Sequence, residues 1–410
     1  MLRIRPFRAL RPAATLASRV ASVPYDVVNT KEARELADGN PQSFLHVIRP
    51  EIDLPDNTHP YDDSVYDKAR ENLDRFFHEG VLVEDDAPGI YLYRQVMDHR
   101  AQVGVVCCCH VDDYANNVIK KHEKTRPDKE DDRTRHTLTL EANTGPVFMT
   151  FRDQPDVMEL MAHDMNQRPI YHFDAPDGVT HTVWRAENPD DYVRAFGSIE
   201  AAYVADGHHR SASAARAGAE LNAAHPDAGP DAEFNWFLSV LFPASELQIL
   251  AYNRVVKDLN GMTTDAVREA LAATGTLEPT DQPVPADPAS YGVYLDGSWY
   301  RLTIDPASID RTDPIGSLDV SLLQDRVLTP ILNVGDPRTD QRIDFVGGIR
   351  GADELKRRVD AGDAAIAFFM YPTSIEQLLA VSDADMVMPP KSTWFEPKLR
   401  SGLFVHRLCP

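Results

Sequence analysis

An apolar run, Tyr203-Val204-Ala205, ends at Asp206-Gly207 and passes directly into His208-His209-Arg210 and an alanine-rich stretch from Ser211 to Ala219. The run has the composition of a buried strand, and the alanines that follow favour helix. Only an Asp-Gly turn separates the two, which commits this part of the chain to mixed α/β packing. A helix that begins so abruptly leaves backbone N–H groups without partners in its first turn, where the helix dipole favours an anion. Gly207 lets the backbone approach a ligand closely. Arg210 offers a fork matched to phosphate, and His208 and His209 add further donors. The pattern reads as a phosphate site. An ordinary turn with a capping histidine would share several of these letters. Three consecutive donors after a buried strand are harder to ascribe to packing.

The rest of the chain supplies strands and helices in alternation. Val65, Ala69, Leu73, Phe76 and Phe77 recur at helical spacing, which predicts an amphipathic helix over 63–79 with one apolar face. Thr30 is a candidate cap for a helix that follows it. Strands are expected over 90–96, 101–111, 147–151 and 236–242. Cys107, Cys108 and Cys109 fall inside one of them and read as core rather than as metal ligands, because no CxxC spacing accompanies them. A proline-rich stretch over 278–290 is the best candidate linker, and a hairpin turning on Asp296-Gly297 follows it. The expected division is therefore a first domain over 1–277, carrying a large insertion at about 51–169, and a C-terminal α/β lobe over 291–410.

Charge narrows the partners. At −22 the chain repels nucleic acid unless a local basic patch intervenes, so no nucleic-acid partner is expected. No run of about 18 uncharged apolar residues is present, so no membrane span is expected. The arginines near the N-terminus lack the apolar centre of a signal peptide, which points to the cytoplasm.

Three further constellations bear on the phosphate site. Asp26, in Pro24-Tyr25-Asp26, is placed like a general base that takes a proton from a substrate hydroxyl; a turn-capping role fits the same letters. Lys121-His122-Glu123-Lys124-Thr125 opens a highly charged segment that runs through Arg133 and reads as a lid loop or a solvated face. Lys121, His122, Thr125 and Arg133 are its candidate ligand contacts. Glu123 is a candidate magnesium ligand, since that ion takes few carboxylates and several substrate oxygens. Near the C-terminus, Met388-Pro389-Pro390-Lys391-Ser392-Thr393-Trp394-Phe395-Glu396-Pro397-Lys398 interleaves lysines with aromatics, so Lys391 and Lys398 are further candidates for holding phosphate. No GxxxxGK[ST] loop, kinase-type glycine loop or G-x-S-x-G element occurs.

Val204-Ala205-Asp206-Gly207-His208-His209-Arg210 resembles the signature of free serine kinases within the ParB/sulfiredoxin-like superfamily. With Pro6-Phe7-Arg8-Ala9, Val23-Pro24-Tyr25-Asp26, Asn40-Pro41-Gln42-Ser43-Phe44, Lys121 to Thr125 and Met388 to Lys398, the whole chain resembles a large bacterial family of unknown function related to those kinases. The resemblance implies a mixed α/β fold with a ParB/sulfiredoxin-like core, a nucleotide (ADP or ATP) and Mg2+. It also implies that His208, His209 and Arg210 hold phosphates, and that Asp26 is the base. The kinases carry glutamate in Pro-His-Glu where this chain has Pro-Tyr-Asp. The expected activity is phosphoryl transfer to or from a small hydroxylated metabolite, serine first, with Asp26 or Asp206 handling the proton. A phosphatase acting on O-phosphoserine and a nucleotide-responsive binding protein are the rival readings. Arg210→Ala is expected to abolish ligand binding without harm to the fold, because an arginine at a helix start is normally exposed.

Overall fold

The computed structural model describes residues 1–409 and is mixed α/β. The chain divides into two units, Met1–Leu247 with Pro397–Pro410, and Gln248–Glu396.

Among the described residues the first unit holds a nine-stranded mixed sheet. Strand Arg100–His110 lies inside it, paired antiparallel with Tyr91–Met97 on one side and Trp236–Pro243 on the other. These are the apolar runs of the sequence, and Cys107, Cys108 and Cys109 are fully buried among them. Trp236–Pro243 runs parallel to Val147–Phe151, which pairs antiparallel with Ala202–Asp206. A second, four-stranded sheet takes its strands from distant parts of the sequence, in the order Leu82–Glu84, Ala9–Pro12, Val405–Arg407 and Ala142–Asn143. The end of the chain is thus built into the first unit.

The second unit is organised on an antiparallel six-stranded sheet, ordered Thr276–Pro279, Ser298–Thr303, Ser290–Leu295, Ile366–Phe369, Tyr252–Val256 and Ile343–Gly347. The expected hairpin is present, and Asp296 and Gly297 both take the positive φ that its turn demands.

Several expectations need correction. The 278–290 stretch is not a linker between units. It begins in an edge strand, where Pro279 is tolerated, and then packs as a loop inside the second unit. A Cβ at Gly292 would lie 2.0 Å from the Pro283 carbonyl oxygen, so the loop sits directly on that strand. The division falls instead at 247/248 and 396/397, which returns residues 397–410 to the first unit. The stretch expected as an insertion supplies inner strands of the large sheet. The charged segment through Arg133 is largely helical, over Pro127–Leu140, with proline at its first position. Phe77 is 45% exposed and lies off the buried face of helix Asp63–His78. The cap of helix Thr30–Ala37 is Asn29, which forms a capping box with Glu32.

Candidate functional site

Strand Ala202–Asp206 delivers the chain to the site with a register shift between Val204 and Asp206, a bulge that re-aims the last residue of the strand. Gly207 follows at φ +96, a left-handed conformation that glycine adopts without steric cost. Helix His208–Ala224 starts at once, and no side chain caps its first turn. The sequence pattern is realised here in full: a strand, a one-residue turn and a 17-residue helix.

Four charged groups converge at that turn. Arg210 Nη2 lies 3.8 Å from Asp26 Oδ2 and 3.6 Å from Asp206 Oδ1. Lys398 Nζ donates to Asp206 Oδ2 at 3.0 Å. Arg210 also donates to the Pro146 carbonyl, in the Gly145-Pro146 turn. Burial works to raise the Asp206 carboxyl, but the Lys398 ammonium and the Arg210 guanidinium outweigh it and hold the group well below the usual carboxylate range. Asp206 therefore stays ionised and is a poor proton acceptor. The Asp26 side chain, 36% exposed, is the more accessible of the two carboxylates.

The histidines separate by environment. His208 is buried and stacks edge-on against His122 at 4.5 Å between ring centroids. Burial, and then His122, push His208 well below the usual imidazole range; burial alone brings His122 down to about 4. Both rings are neutral at pH 7. His208 Nδ1 lies 3.8 Å from a carboxylate oxygen of Glu123, whose side chain is half-exposed. His209 is less buried, and its Nε2 accepts the Arg126 backbone N–H at 3.1 Å. Two buried nitrogens, Arg210 Nε and His208 Nε2, have no hydrogen-bond partner among the described residues.

Neighbouring elements fix this cluster. Ser22 and Ser401 form an antiparallel bridge, with N–H to carbonyl distances of 3.0 and 2.9 Å, which ties the Pro24-Tyr25-Asp26 turn to the segment carrying Lys398. Gln95 donates to the Lys398 carbonyl at 2.9 Å, and Gln102 to the Pro397 carbonyl at 3.3 Å. Arg400 Nε donates to His181 Nε2 at 3.3 Å, and Tyr93 shares a 2.8 Å hydrogen bond with His181 Nδ1. Arg133 stands 4.3 Å over the Tyr25 ring and is held by Asp132. Arg210 and Arg133 both line a cavity of about 40 Å³ that Tyr25, Thr144 and Ser401 share.

The expected site residues thus fall into groups. Asp26, Asp206, Gly207, Arg210 and Lys398 come together, with His208, His122 and Glu123 adjacent. Lys121 donates to the Tyr114 carbonyl and Thr125 to Glu130. Arg133 is carried, partly buried, on a helix rather than on a loop. Lys391 belongs to the second unit, where its carbonyl accepts from Arg254. The expectation that Arg210 is exposed is overturned: its side chain is 11% exposed and compensates two carboxylates. Removing it would take a cation from Asp26 and leave Asp206 with Lys398 alone, so Arg210→Ala would not leave the fold untouched. Gln95, Gln102, His181 and Arg400 were not legible as site residues. Each is an isolated polar residue in an apolar or basic context, and only the fold brings them to the Lys398 segment.

A family model described as "Protein of unknown function (DUF1015)" matches residues 4–321. No curated protein matches. Among solved structures, the chain is similar to a conserved hypothetical protein from Pyrococcus furiosus, at 13% identity over 74% of this chain and 95% of that one, with a TM-score of 0.35. It is similar to SbnI with C-terminal truncation from Staphylococcus aureus, at 12% identity over 73% and 87%, TM-score 0.39. It is also similar to a free serine kinase in complex with AMP, at 10% identity over 73% and 92%, TM-score 0.34.

Proposed function

We propose, from the premise that this chain belongs to the DUF1015 family of proteins of unknown function, that it transfers a phosphoryl group between a nucleotide and a small hydroxylated metabolite, with free serine the first candidate. The observation that carries the reading is the convergence of Asp26, Asp206, Arg210 and Lys398 at an uncapped helix start. The motif resemblance of residues 204–210 to free serine kinases supports it from the sequence, and the ParB/sulfiredoxin-like description of the core belongs to the same proposal.

Phosphoryl transfer asks mostly for positioning and charge neutralisation. In this reading Arg210, Lys398, His209 and the N–H groups opening helix His208–Ala224 hold the phosphates. Asp206 keeps the two cations in place. Asp26 takes the proton of the substrate hydroxyl as its oxygen bonds to the terminal phosphorus and the bond to the nucleotide's bridging oxygen breaks. Buried His208 positions the turn through His122. Glu123 would hold a magnesium ion, which takes one or two protein carboxylates beside substrate oxygens and would offset phosphate charge.

The test is product analysis with serine and ATP or ADP, and with O-phosphoserine alone. Nucleotide-dependent formation of O-phosphoserine, lost in Asp26→Asn, supports the proposal. Release of inorganic phosphate from O-phosphoserine without nucleotide identifies a phosphatase, and nucleotide binding without turnover of either substrate identifies a binding protein; both overturn the transfer reading.

A further inference from the structure

The second unit contains a cavity of about 540 Å³, within the span of about 300–1,000 Å³ usual for small-molecule sites. Arg254, Ser321, Gln324 and Phe345 line it, the Asp336-Pro337-Arg338 loop adds to the lining, and Val387 to Pro390 close another part of its wall.

Arg254 is the unusual member. It lies on strand Tyr252–Val256 and is only 3% exposed. Among the described residues no carboxylate pairs with it. Its guanidinium donates to two backbone carbonyls, those of Tyr252 and Lys391, and stands 5.3 Å from the Phe345 ring centroid. Buried arginines ordinarily carry a carboxylate, because an uncompensated charge in the interior is costly. Burial accordingly pushes Arg254 down to about 10. Arg210, in the first unit, has two carboxylates and is shifted the other way.

Two independent features accompany it. The Ser321 hydroxyl is buried, lines the same cavity and has no hydrogen-bond partner among the described residues. The helix that carries it, Asp319–Leu323, continues into a π-helical turn over Gln324–Leu328, a local widening that recurs at functional sites. Gln324, at the start of that turn, donates to the Val334 and Gly335 carbonyls at 3.2 and 3.1 Å and so fixes the loop that bounds the cavity. The acidic members of the lining are partly committed: Asp313 accepts the Ile315 N–H, and Asp336 accepts the Arg338 N–H and pairs with Arg338 at 3.8 Å.

We infer that this cavity is a second ligand site, taking a small metabolite whose carboxylate or phosphate group seats against Arg254 with the Ser321 hydroxyl as an added donor. Asp313, Asp325 and Asp336 make the rest of the lining hostile to a polyanion. The remainder of the ligand is therefore uncharged or cationic. The site is independent of the phosphoryl-transfer proposal and stands or falls separately.

The experiment is thermal melting of the full chain with inorganic phosphate in one arm and acetate, glycine and serine in another. At least one probe raises the melting temperature by about 3 °C at a hundredfold excess over its Kd. The responding arm tells carboxylate from phosphate. The shift persists in Lys398→Met, which weakens anion binding in the first unit, and in that background it disappears on adding Arg254→Met or Ser321→Val, either of which suffices should the other fail to fold. The absence of a shift with every probe, each titrated into the millimolar range, would overturn the inference. So would a shift that vanishes in Lys398→Met alone, or one that survives both cavity variants in that background.

Discussion

Gly207 and Arg210 constrain each other. A Cβ built on Gly207 would lie 3.0 Å from Arg210 Nε, and the backbone there is left-handed. Gly207→Ala therefore costs about 1–2 kcal/mol from conformation alone, read as a lower urea midpoint, and it displaces the guanidinium that joins Asp26 to Asp206. Lys398 acts differently, because it touches Asp206 without setting backbone shape. Lys398→Met removes the nearest cation from that carboxyl, so the folded-state pKa of Asp206 rises toward its ordinary value. A carboxyl titration followed by NMR checks this, and an unmoved Asp206 would exclude the pairing. At this scale the sequence was informative where one residue type has one use. Gly207 needs φ above zero, and Arg210 offers a fork. It was silent on Arg210's burial, since nothing in neighbouring letters indicates that Asp26, 184 positions away in the chain, comes within 3.8 Å.

Elements with a clean apolar period were legible before the fold was known. Strand Trp236–Pro243 and helix Asp63–His78 lie where their patterns place them. Of the helix Pro127–Leu140 the sequence indicates only the second half, near 134–141; the first half reads as a charged loop, because the buried face carries Asp132, which accepts from Tyr66, and His136, which bonds the Val47 carbonyl, in place of an apolar period. The prolines of 278–290 resemble a linker in composition, yet they cover Gly292 in the fold. The C-terminal segment is the least legible element. Chain ends usually fray, but Val405–Arg407 lies between two strands, and Leu403, Phe404 and Val405 are buried. Amides of Ser401 and Leu408, which donate to Ser22 and Glu141, are expected to exchange as slowly as those of the central strand Arg100–His110. Exchange at loop rates would mean that Lys398 is not held in place.

Over the whole molecule, buried imidazoles set the response to acid. Burial brings His122 down to about 4 and His136 and His181 to about 3, against 6.5 in an unfolded chain. Between pH 6.5 and those values the unfolded chain takes up protons that the folded chain refuses, so acidification favours unfolding. Each ring contributes a slope of up to about 1.4 kcal/mol per pH unit. Urea midpoints measured from pH 7 to pH 4.5 should fall steadily, and His181→Gln should flatten the fall; a midpoint indifferent to pH would contradict the burial of these rings. The net charge of −22 adds a second global property, since self-repulsion is relieved by salt.

The central claim is that the turn between strand Ala202–Asp206 and helix His208–Ala224 grips a phosphate. Calorimetric titration of ADP into the parent protein and into Lys398→Met tests it most directly. Charge-assisted contacts to phosphate contribute about 1.5–3 kcal/mol, so the account predicts binding by the parent and a loss of roughly tenfold to a hundredfold in affinity in the variant. Equal affinities in the two proteins, or no binding to the parent, would contradict it.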